Sequence, residues 1–182
     1  LQQETCVADR DCRPLSLVRV ELDHGSGHQD RPGLQPGDPL PMAVARLIAA
    51  HARRPRDTAA RLGHVGFAML LPDTPPGGAR QVVEDLIADV RRLPWVDAAE
   101  NARTTVSIGV YCRVPGPEVP ADAFLSGAEA ALRQAKANGG DGYRFTDRGS
   151  DVFTQLVHAW RCWLLDQLED WHKPDQRDFA RA

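Results

Sequence analysis

The side chains with the clearest potential for chemistry lie in the segment RRPRD, at residues 53–57. Arg53, Arg54 and Arg56 place three cations beside Asp57, in a chain whose formal net charge is −3. A guanidinium binds phosphate through paired hydrogen bonds, and a carboxylate accepts hydrogen bonds from N–H groups. The segment therefore predicts either a local anion-binding site or a solvated helix end whose cations complement the helix dipole.

A second candidate is the segment RLGHVGFAML, at residues 61–70, which has the pattern of a strand, a tight turn and a second strand. Gly63 and Gly66 flank His64 and Val65, where the backbone must bend sharply or let a ligand come close. A plain hairpin favours Asn-Gly or Asp-Gly in its turn. This turn is therefore a candidate functional loop as well as a structural one.

The histidines and cysteines predict no metal or redox site. His24, His28 and Asp30 could be drawn as a metal cluster, but histidines four residues apart converge only on a helix. Because HGSGH is typical of a flexible loop, we expect solvent-exposed histidines instead. The cysteines match no zinc or redox spacing and are expected to be reduced; they are Cys6, Cys12, Cys112 and Cys162.

Size and composition limit the class of protein. The chain has 182 residues, of which 42% are hydrophobic and 26% charged, as is typical of one globular domain with an appended element. Without an excess of basic residues, a nucleic-acid polymer is not expected as a partner. No apolar run approaches the roughly 18 residues of a membrane span and no signal peptide is visible, so we expect a cytoplasmic protein.

Hydrophobic periodicity predicts the elements that position these segments. The predicted strands cover residues 16–22, 58–62, 67–71, 104–112 and 142–145. The predicted helices cover residues 41–52, 79–93 and 123–138. Residues 23–38, rich in glycine and proline, predict a loop or a distorted short helix. This order favours an α/β fold with a mixed central sheet flanked by helices.

The last part of the chain predicts a separate element. The segment Val152–Trp171 has apolar residues at helical spacing and carries three of the four tryptophans. We expect an amphipathic helix that packs on the domain, on a second copy as a homodimer, or on a partner protein. The predicted domains are therefore residues 1–148 and a C-terminal helix and tail at residues 149–182.

Several segments together resemble one protein family. Four segments have the order and spacing of a GGDEF domain: PLSLVRVELDH at 14–24, LLPDT at 70–74, TTVSIGV at 104–110 and AEAALRQAK at 128–136. In addition, Gly37-Asp38 falls where that family has Gly-Asp. Over about residues 14–146, the chain is similar to the bacterial module that makes cyclic di-GMP from two GTP. The resemblance implies a nucleotide-cyclase-like fold.

On this resemblance, the family signature Gly-Gly-Asp/Glu-Glu-Phe falls on residues 63–67, where Gly63 and Phe67 are kept. The third residue of the family's signature is an acid that binds Mg²⁺ and activates a hydroxyl, and Val65, which stands at this position, can do neither. The second glycine of the signature lets the backbone approach GTP in the family, and His64, which stands at this position, would crowd that approach. The resemblance therefore implies a degenerate domain that is not a cyclase.

The remaining nucleotide-site positions are partly kept. The resemblance places the first metal acid, a guanine-contacting aspartate and a phosphate-binding lysine at Glu21, Asp38 and Lys136. At three further positions the family residue is replaced: its lysine by Ser26, its guanine-contacting asparagine by Gln29 and its arginine by Gly140. Phosphoryl transfer needs metal and positive charge at the phosphates, so these losses imply a rate lower by several powers of ten. We therefore expect a vestigial nucleotide site, with retained GTP binding as the weakest alternative.

The inhibitory motif of the family, Arg-x-x-Asp, falls on Arg54 and Asp57. The resemblance implies that Arg54 contacts a guanine edge or phosphate of cyclic di-GMP and that Asp57 accepts guanine N–H groups. Arg53 and Arg80 are further candidate cations, because the second arginine of the family falls on Asp85. We therefore predict an inactive cyclic di-GMP receptor.

The alternative is a structural or protein-interaction module that has lost nucleotide binding. By analogy with the family, either kind of domain belongs to a larger bacterial regulator, for example of exopolysaccharide export, biofilm formation, pili or motility.

Overall fold

The computed structural model describes residues 13–23, 39–94, 96–97, 102–115 and 119–146. The chain divides into two compact units, Leu1–Ser150 and Asp151–Ala182, and all the described residues belong to the first. The helices are α1 (Pro39–His51), α2 (Pro76–Arg91) and α3 (Ala121–Ala137). The strands are β1 (Leu15–Leu22), β2 (Thr58–Leu62), β3 (Gly66–Pro72), β4 (Val96–Asp97), β5 (Ala102–Arg103), β6 (Val106–Arg113) and β7 (Gly142–Phe145).

Five of the strands form one mixed sheet, in the order β2-β3-β1-β6-β7. β1 pairs antiparallel with both β3 and β6, β2 pairs antiparallel with β3, and β6 and β7 are parallel. The three inner strands are almost wholly buried, because helices cover both faces of the sheet. β3, with the sequence GFAMLLP, is apolar throughout. The predicted α/β fold with a mixed central sheet flanked by helices is confirmed.

The core lies on both faces of this sheet. On one face, a cluster that includes Val20 and Phe67 packs with the buried sides of α1 and α2. On the other face, Tyr111 of β6 packs edge to face on Phe124 of α3, with ring centroids 5.1 Å apart. Since side chains alternate along a strand, the odd-numbered residues of β1 face α3 and the even-numbered ones face α1 and α2.

The element boundaries differ from the predicted ones mainly at two places. α2 begins at Pro76, because proline suits the first helical turn, where its missing N–H has no helical partner. The short sheet of β4 and β5 was not predicted, since two-residue strands are too short to show periodicity. The predicted helix Val152–Trp171 and most of the predicted loop at 23–38 lie outside the described residues. Within the described part of the chain, every helix is too short or too polar to cross a membrane.

Candidate functional site

The hairpin turn that follows β2 is held by a side chain of β2 itself. β2 and β3 pair over five residues each, and the turn between them has a positive φ of +78° at Gly63. Arg61 donates from Nε to the Gly63 carbonyl oxygen (3.1 Å) and from Nη2 to the His64 carbonyl oxygen (3.0 Å). The predicted hairpin is therefore confirmed, and its turn is stabilised from within.

Val65 packs against the core, although the resemblance places a metal-binding acid at this position. Its carbonyl oxygen accepts the backbone N–H of Leu22 at 3.0 Å. Its half-buried side chain packs against the core cluster on the α1 and α2 face of the sheet. An isopropyl group has no lone pair for a hard cation, so this turn does not fit Mg²⁺. His64 is exposed beside it.

Two of the predicted nucleotide-site residues come together and neutralise each other. Glu21 lies on β1, opposite Gly66 at the start of β3, and Lys136 of α3 forms an ion pair with its carboxylate. Two residues earlier on the same face of β1, Arg19 forms a second ion pair, 3.3 Å from its Nε to Glu129 Oε2. The phosphate-binding cation and the metal-binding acid of the resemblance thus hold α3 to β1.

Asp23, which the sequence pattern placed in a loop, joins three segments of the chain. Its carboxylate accepts hydrogen bonds from Thr105 Oγ1 (2.9 Å), from Ser107 Oγ and from the backbone N–H of Asp141 (2.9 Å). Gly140 has a φ of +73°, and a Cβ there would lie 3.2 Å from the Asp23 carboxylate. Position 140 therefore favours glycine, because a side chain there would be strained by the positive φ and would crowd the Asp23 carboxylate.

Arg54 and Asp57 form a closed turn between α1 and β2. The backbone N–H of Arg54 donates to Asp57 Oδ2 at 2.9 Å, and the backbone N–H of Asp57 donates to the Arg54 carbonyl oxygen at 2.9 Å. Aspartate side chains commonly stabilise turns in this way. The second carboxylate oxygen, Oδ1, is buried and has no hydrogen-bond partner. One oxygen of Asp57 is thus committed to the turn, and the other can accept from a donor.

The arginines around this turn gather at Asp73, which follows β3. Arg54 Nη1 lies 3.3 Å from the Asp73 carbonyl oxygen and 3.3 Å from Thr74 Oγ1. Arg56 Nη1 and Arg13 Nη1 each lie 3.4 Å from Asp73 Oδ2. The two hydrogen bonds of Arg54 are long, and both acceptors are neutral oxygens. Arg13 precedes β1 and was missed by sequence reasoning, because only the fold brings it to this turn.

The other predicted ligands of this site make contacts elsewhere. Arg53 Nε donates to a carbonyl oxygen at the end of α1 at 3.4 Å. Arg80 Cζ lies 5.8 Å from the centroid of the Phe145 ring, on β7, the edge of the sheet opposite β2. Asp85 is exposed and accepts a hydrogen bond from Gln81 Nε2 at 2.9 Å. The structure therefore shows Arg80 stacked at β7, whereas Arg54 contacts the end of β3.

The groups whose pKa values are shifted lie outside the hairpin and the RRPRD turn, at contacts that pack elements of the fold together. A hydrogen bond from His51 Nε2, at 3.0 Å, lowers the pKa of Asp89. The hydrogen bond that the Tyr143 hydroxyl donates to Glu84 at 2.6 Å raises the pKa of Tyr143. Burial raises the pKa of the Cys112 thiol to about 11. These groups join helices and strands of the fold, and none of them lies in a candidate ligand site.

The part of the chain that the structure describes contains no candidate metal site. There, His, Cys, Asp and Glu side chains form no group of three or more that could hold an ion. The residues of the drawn metal cluster, His24, His28 and Asp30, lie outside the described residues. The nucleotide-site positions Ser26, Gln29 and Asp38 lie outside them as well.

Comparison with known protein sequences agrees with the fold. The family model of the GGDEF domain of diguanylate cyclases matches residues 1–142. MucR of Pseudomonas aeruginosa, a bifunctional diguanylate cyclase/cyclic di-GMP phosphodiesterase, is 30% identical over 165 residues, which are 88% of this chain and 24% of that protein. The diguanylate cyclase DgcP of the same species is 33% identical over 144 residues, 78% of this chain and 21% of that protein. The chain thus spans about a quarter or less of the length of these relatives.

Solved structures give the same assignment. The GGDEF domain of DgcB from Caulobacter crescentus, determined in complex with c-di-GMP, superposes with a TM-score of 0.66 at 28% identity, covering 80% of this chain and 84% of that one. The active GGEEF domain of a diguanylate cyclase from Vibrio cholerae has a TM-score of 0.68 at 20% identity, covering 80% and 90%, and supports the fold. From its sequence and its fold together, the chain belongs to the GGDEF domain family of diguanylate cyclases.

Proposed function

We propose that this chain is a catalytically inactive GGDEF domain that acts as a cyclic di-GMP receptor through Arg54 and Asp57. The supporting observation is the contrast between the two ends of β2. Before β2, the Arg-x-x-Asp turn keeps both functional side chains, whereas after β2 the signature turn has valine in place of the acid. A cytoplasmic role in regulating biofilm or exopolysaccharide belongs to the same proposal.

The case for inactivity is electrostatic. Val65 supplies no metal ligand, and Glu21, the acid that remains, is already paired with Lys136. Of the two cations that the resemblance places at the phosphates near the end of α3, Lys136 is kept, whereas Gly140 has no side chain. Because phosphoryl transfer depends on metal ions and cations at the phosphates, we expect no synthesis of cyclic di-GMP.

The case for binding rests on donors and acceptors that are incompletely used. Arg54 makes two long hydrogen bonds to neutral oxygens, and a phosphate would replace them by stronger, charge-assisted ones. Oδ1 of Asp57 has no hydrogen-bond partner, so this carboxylate keeps an acceptor that guanine N–H donors would satisfy. Arg13 and Arg56 add positive charge beside them.

A nucleotide-free interaction module is the second candidate. The observation that favours it is Asp85, a carboxylate at the position where the family has its second arginine. A carboxylate near bound phosphates would repel them. Under this alternative, Arg54 and Asp57 serve only to stabilise the turn that begins β2.

Calorimetric titration with cyclic di-GMP tests the proposal. Wild type should bind, and Arg54→Ala should bind at least about tenfold more weakly, because a charged hydrogen bond contributes about 1.5–3 kcal/mol. Arg133→Ala, which removes an exposed arginine of α3, is the matched control and should bind like wild type. Absence of heat with wild type would favour the interaction module instead. Separately, formation of cyclic di-GMP from GTP and Mg²⁺ would refute inactivity.

A further inference from the structure

We propose that the outer edge of β2 is a docking site for an acidic, extended segment of a partner protein, which adds to the sheet as a further strand. β2 stands first in the sheet order, with β3 on one side, and no strand in the described part of the chain pairs with its other side. All five residues of β2 are exposed. This site lies beyond the proposed nucleotide receptor function and does not depend on it.

The backbone of β2 suits the addition of a strand. An edge strand presents N–H and C=O groups that a further strand can pair with. β2 pairs with β3 over five residues without a bulge, so its edge is regular over roughly 17 Å. Ala59 and Ala60, at its centre, carry only methyl groups. A second backbone can therefore approach β2 without obstruction by large side chains.

The usual protection of an edge strand is missing from β2. Folded proteins protect such edges with lysine or other charged side chains, with proline, or with bulges. The one charged side chain in β2 is that of Arg61, and its guanidinium is bound to the carbonyl oxygens of the hairpin turn. At the opposite edge of the sheet, β7 is shorter, and three of its four residues are half-buried. Of the two edges, β2 is the one open to a strand.

The charge around β2 selects an acidic partner. Residues 53–62 contain four arginines and one aspartate, a net charge of +3, in a chain whose formal net charge is −3. A second copy of β2 would bring the same arginines and be repelled, whereas a segment rich in Asp and Glu would be attracted. Leu62, which is 43% exposed, offers an apolar contact at one end of the strand.

The test uses the whole chain and a synthetic probe. The probe is a capped peptide of about ten residues that alternates valine and glutamate, which suits a half-buried added strand. NMR titration should shift the resonances of residues 56–63, and hydrogen exchange should slow at alternate amides of β2. The same peptide with lysine in place of glutamate should bind at least about tenfold more weakly.

Two matched variants locate the site. Ala60→Glu places a negative charge on the exposed edge and should weaken peptide binding at least about fivefold without changing the melting temperature. Gln134→Glu adds the same charge at an exposed position of α3 and should leave binding unchanged. The proposal is refuted if β2 resonances do not shift, if the lysine peptide binds equally well, or if β2 instead pairs with a second copy in sedimentation and NMR experiments. These measurements contain no nucleotide, so their outcome is separate from that of the cyclic di-GMP titration.

Discussion

At the residue scale, Val65 and Gly140 each stand where the resemblance places a catalytic group, and each makes contacts that stabilise the fold around it. Val65 packs into the core, and its carbonyl oxygen holds the end of β1. Gly140 has a left-handed backbone conformation and lies against the Asp23 carboxylate. Because both positions carry structural contacts, restoring the family residue at either one would disturb the fold.

Val65→Asp tests this at the hairpin. We predict that the variant makes no cyclic di-GMP from GTP and Mg²⁺, because Gly140 and His64 remain. We also predict a loss of about 1–3 kcal/mol in the free energy of unfolding, because a carboxylate replaces a half-buried apolar group. Chromatography of the products and urea unfolding measure the two effects. Val65→Ile, which keeps the apolar character, should lose less stability, and product formed by Val65→Asp would contradict the proposed inactivity.

Gly140→Ala tests the turn after α3. We predict a loss of about 1–2 kcal/mol in unfolding free energy, because alanine is disfavoured at the φ of +73° and its Cβ would crowd Asp23. Gly77→Ala is the matched control, since a Cβ at Gly77 in α2 meets no atom within 4 Å. That change should be neutral or stabilise by about 0.4–1 kcal/mol. Thermal unfolding compares the two, and equal effects would argue against strain at position 140.

At the element scale, side-chain pairs tie neighbouring elements together. Glu21 and Lys136 connect β1 to α3, and the buried His51 of α1 bonds to Asp89 of α2 at 3.0 Å. His51 lies on the buried side of α1, together with Val44 and Ile48. Its partner was not predictable, since the rotation of α2 against α1 is set by packing and not by the sequence of either helix.

Asp89→Asn tests the contact between α1 and α2. The pKa of Asp89 is lowered in the folded state, chiefly by the hydrogen bond with His51 and also by Arg92. The ionised carboxylate therefore stabilises the fold above the unfolded-state value of 3.8, and this stabilisation is lost as the pH falls through the lower folded-state pKa. Urea unfolding should show wild type more stable than Asp89→Asn near neutral pH, with the difference vanishing in acid. A difference that persisted at the lowest pH would exclude the charge of Asp89 as its cause.

At the scale of the whole molecule, the two core clusters share one sheet, so that opening either exposes the other. Cys112, near the end of the inner strand β6, is 1% exposed, and its thiol donates to the Thr74 carbonyl oxygen at 3.5 Å. Reagents can reach this thiol only when the sheet opens. Its chemical reactivity therefore reports the stability of the whole domain.

Alkylation of Cys112 measures that stability directly. Burial raises its pKa to about 11, so that only about one thiol in a thousand is ionised at pH 8. We predict that iodoacetamide modifies Cys112 at least about a hundredfold more slowly in the native protein than in urea. Mass spectrometry of the Cys112 peptide distinguishes it from the other cysteines. Rapid modification under native conditions would mean that β6 is less protected than its burial indicates.

The amino-acid sequence by itself determined the five strands of the main sheet, the three described helices, the family, and the absence of an acid at Val65. These depend on local periodicity and on residue types at fixed spacing. Only the tertiary structure decided that Lys136 pairs with Glu21, that Arg13 reaches Asp73, and that Arg80 stacks on β7. The reason is physical: strand register and the rotation of each helix determine which distant side chains meet, and periodicity specifies the buried face of an element but not its partners.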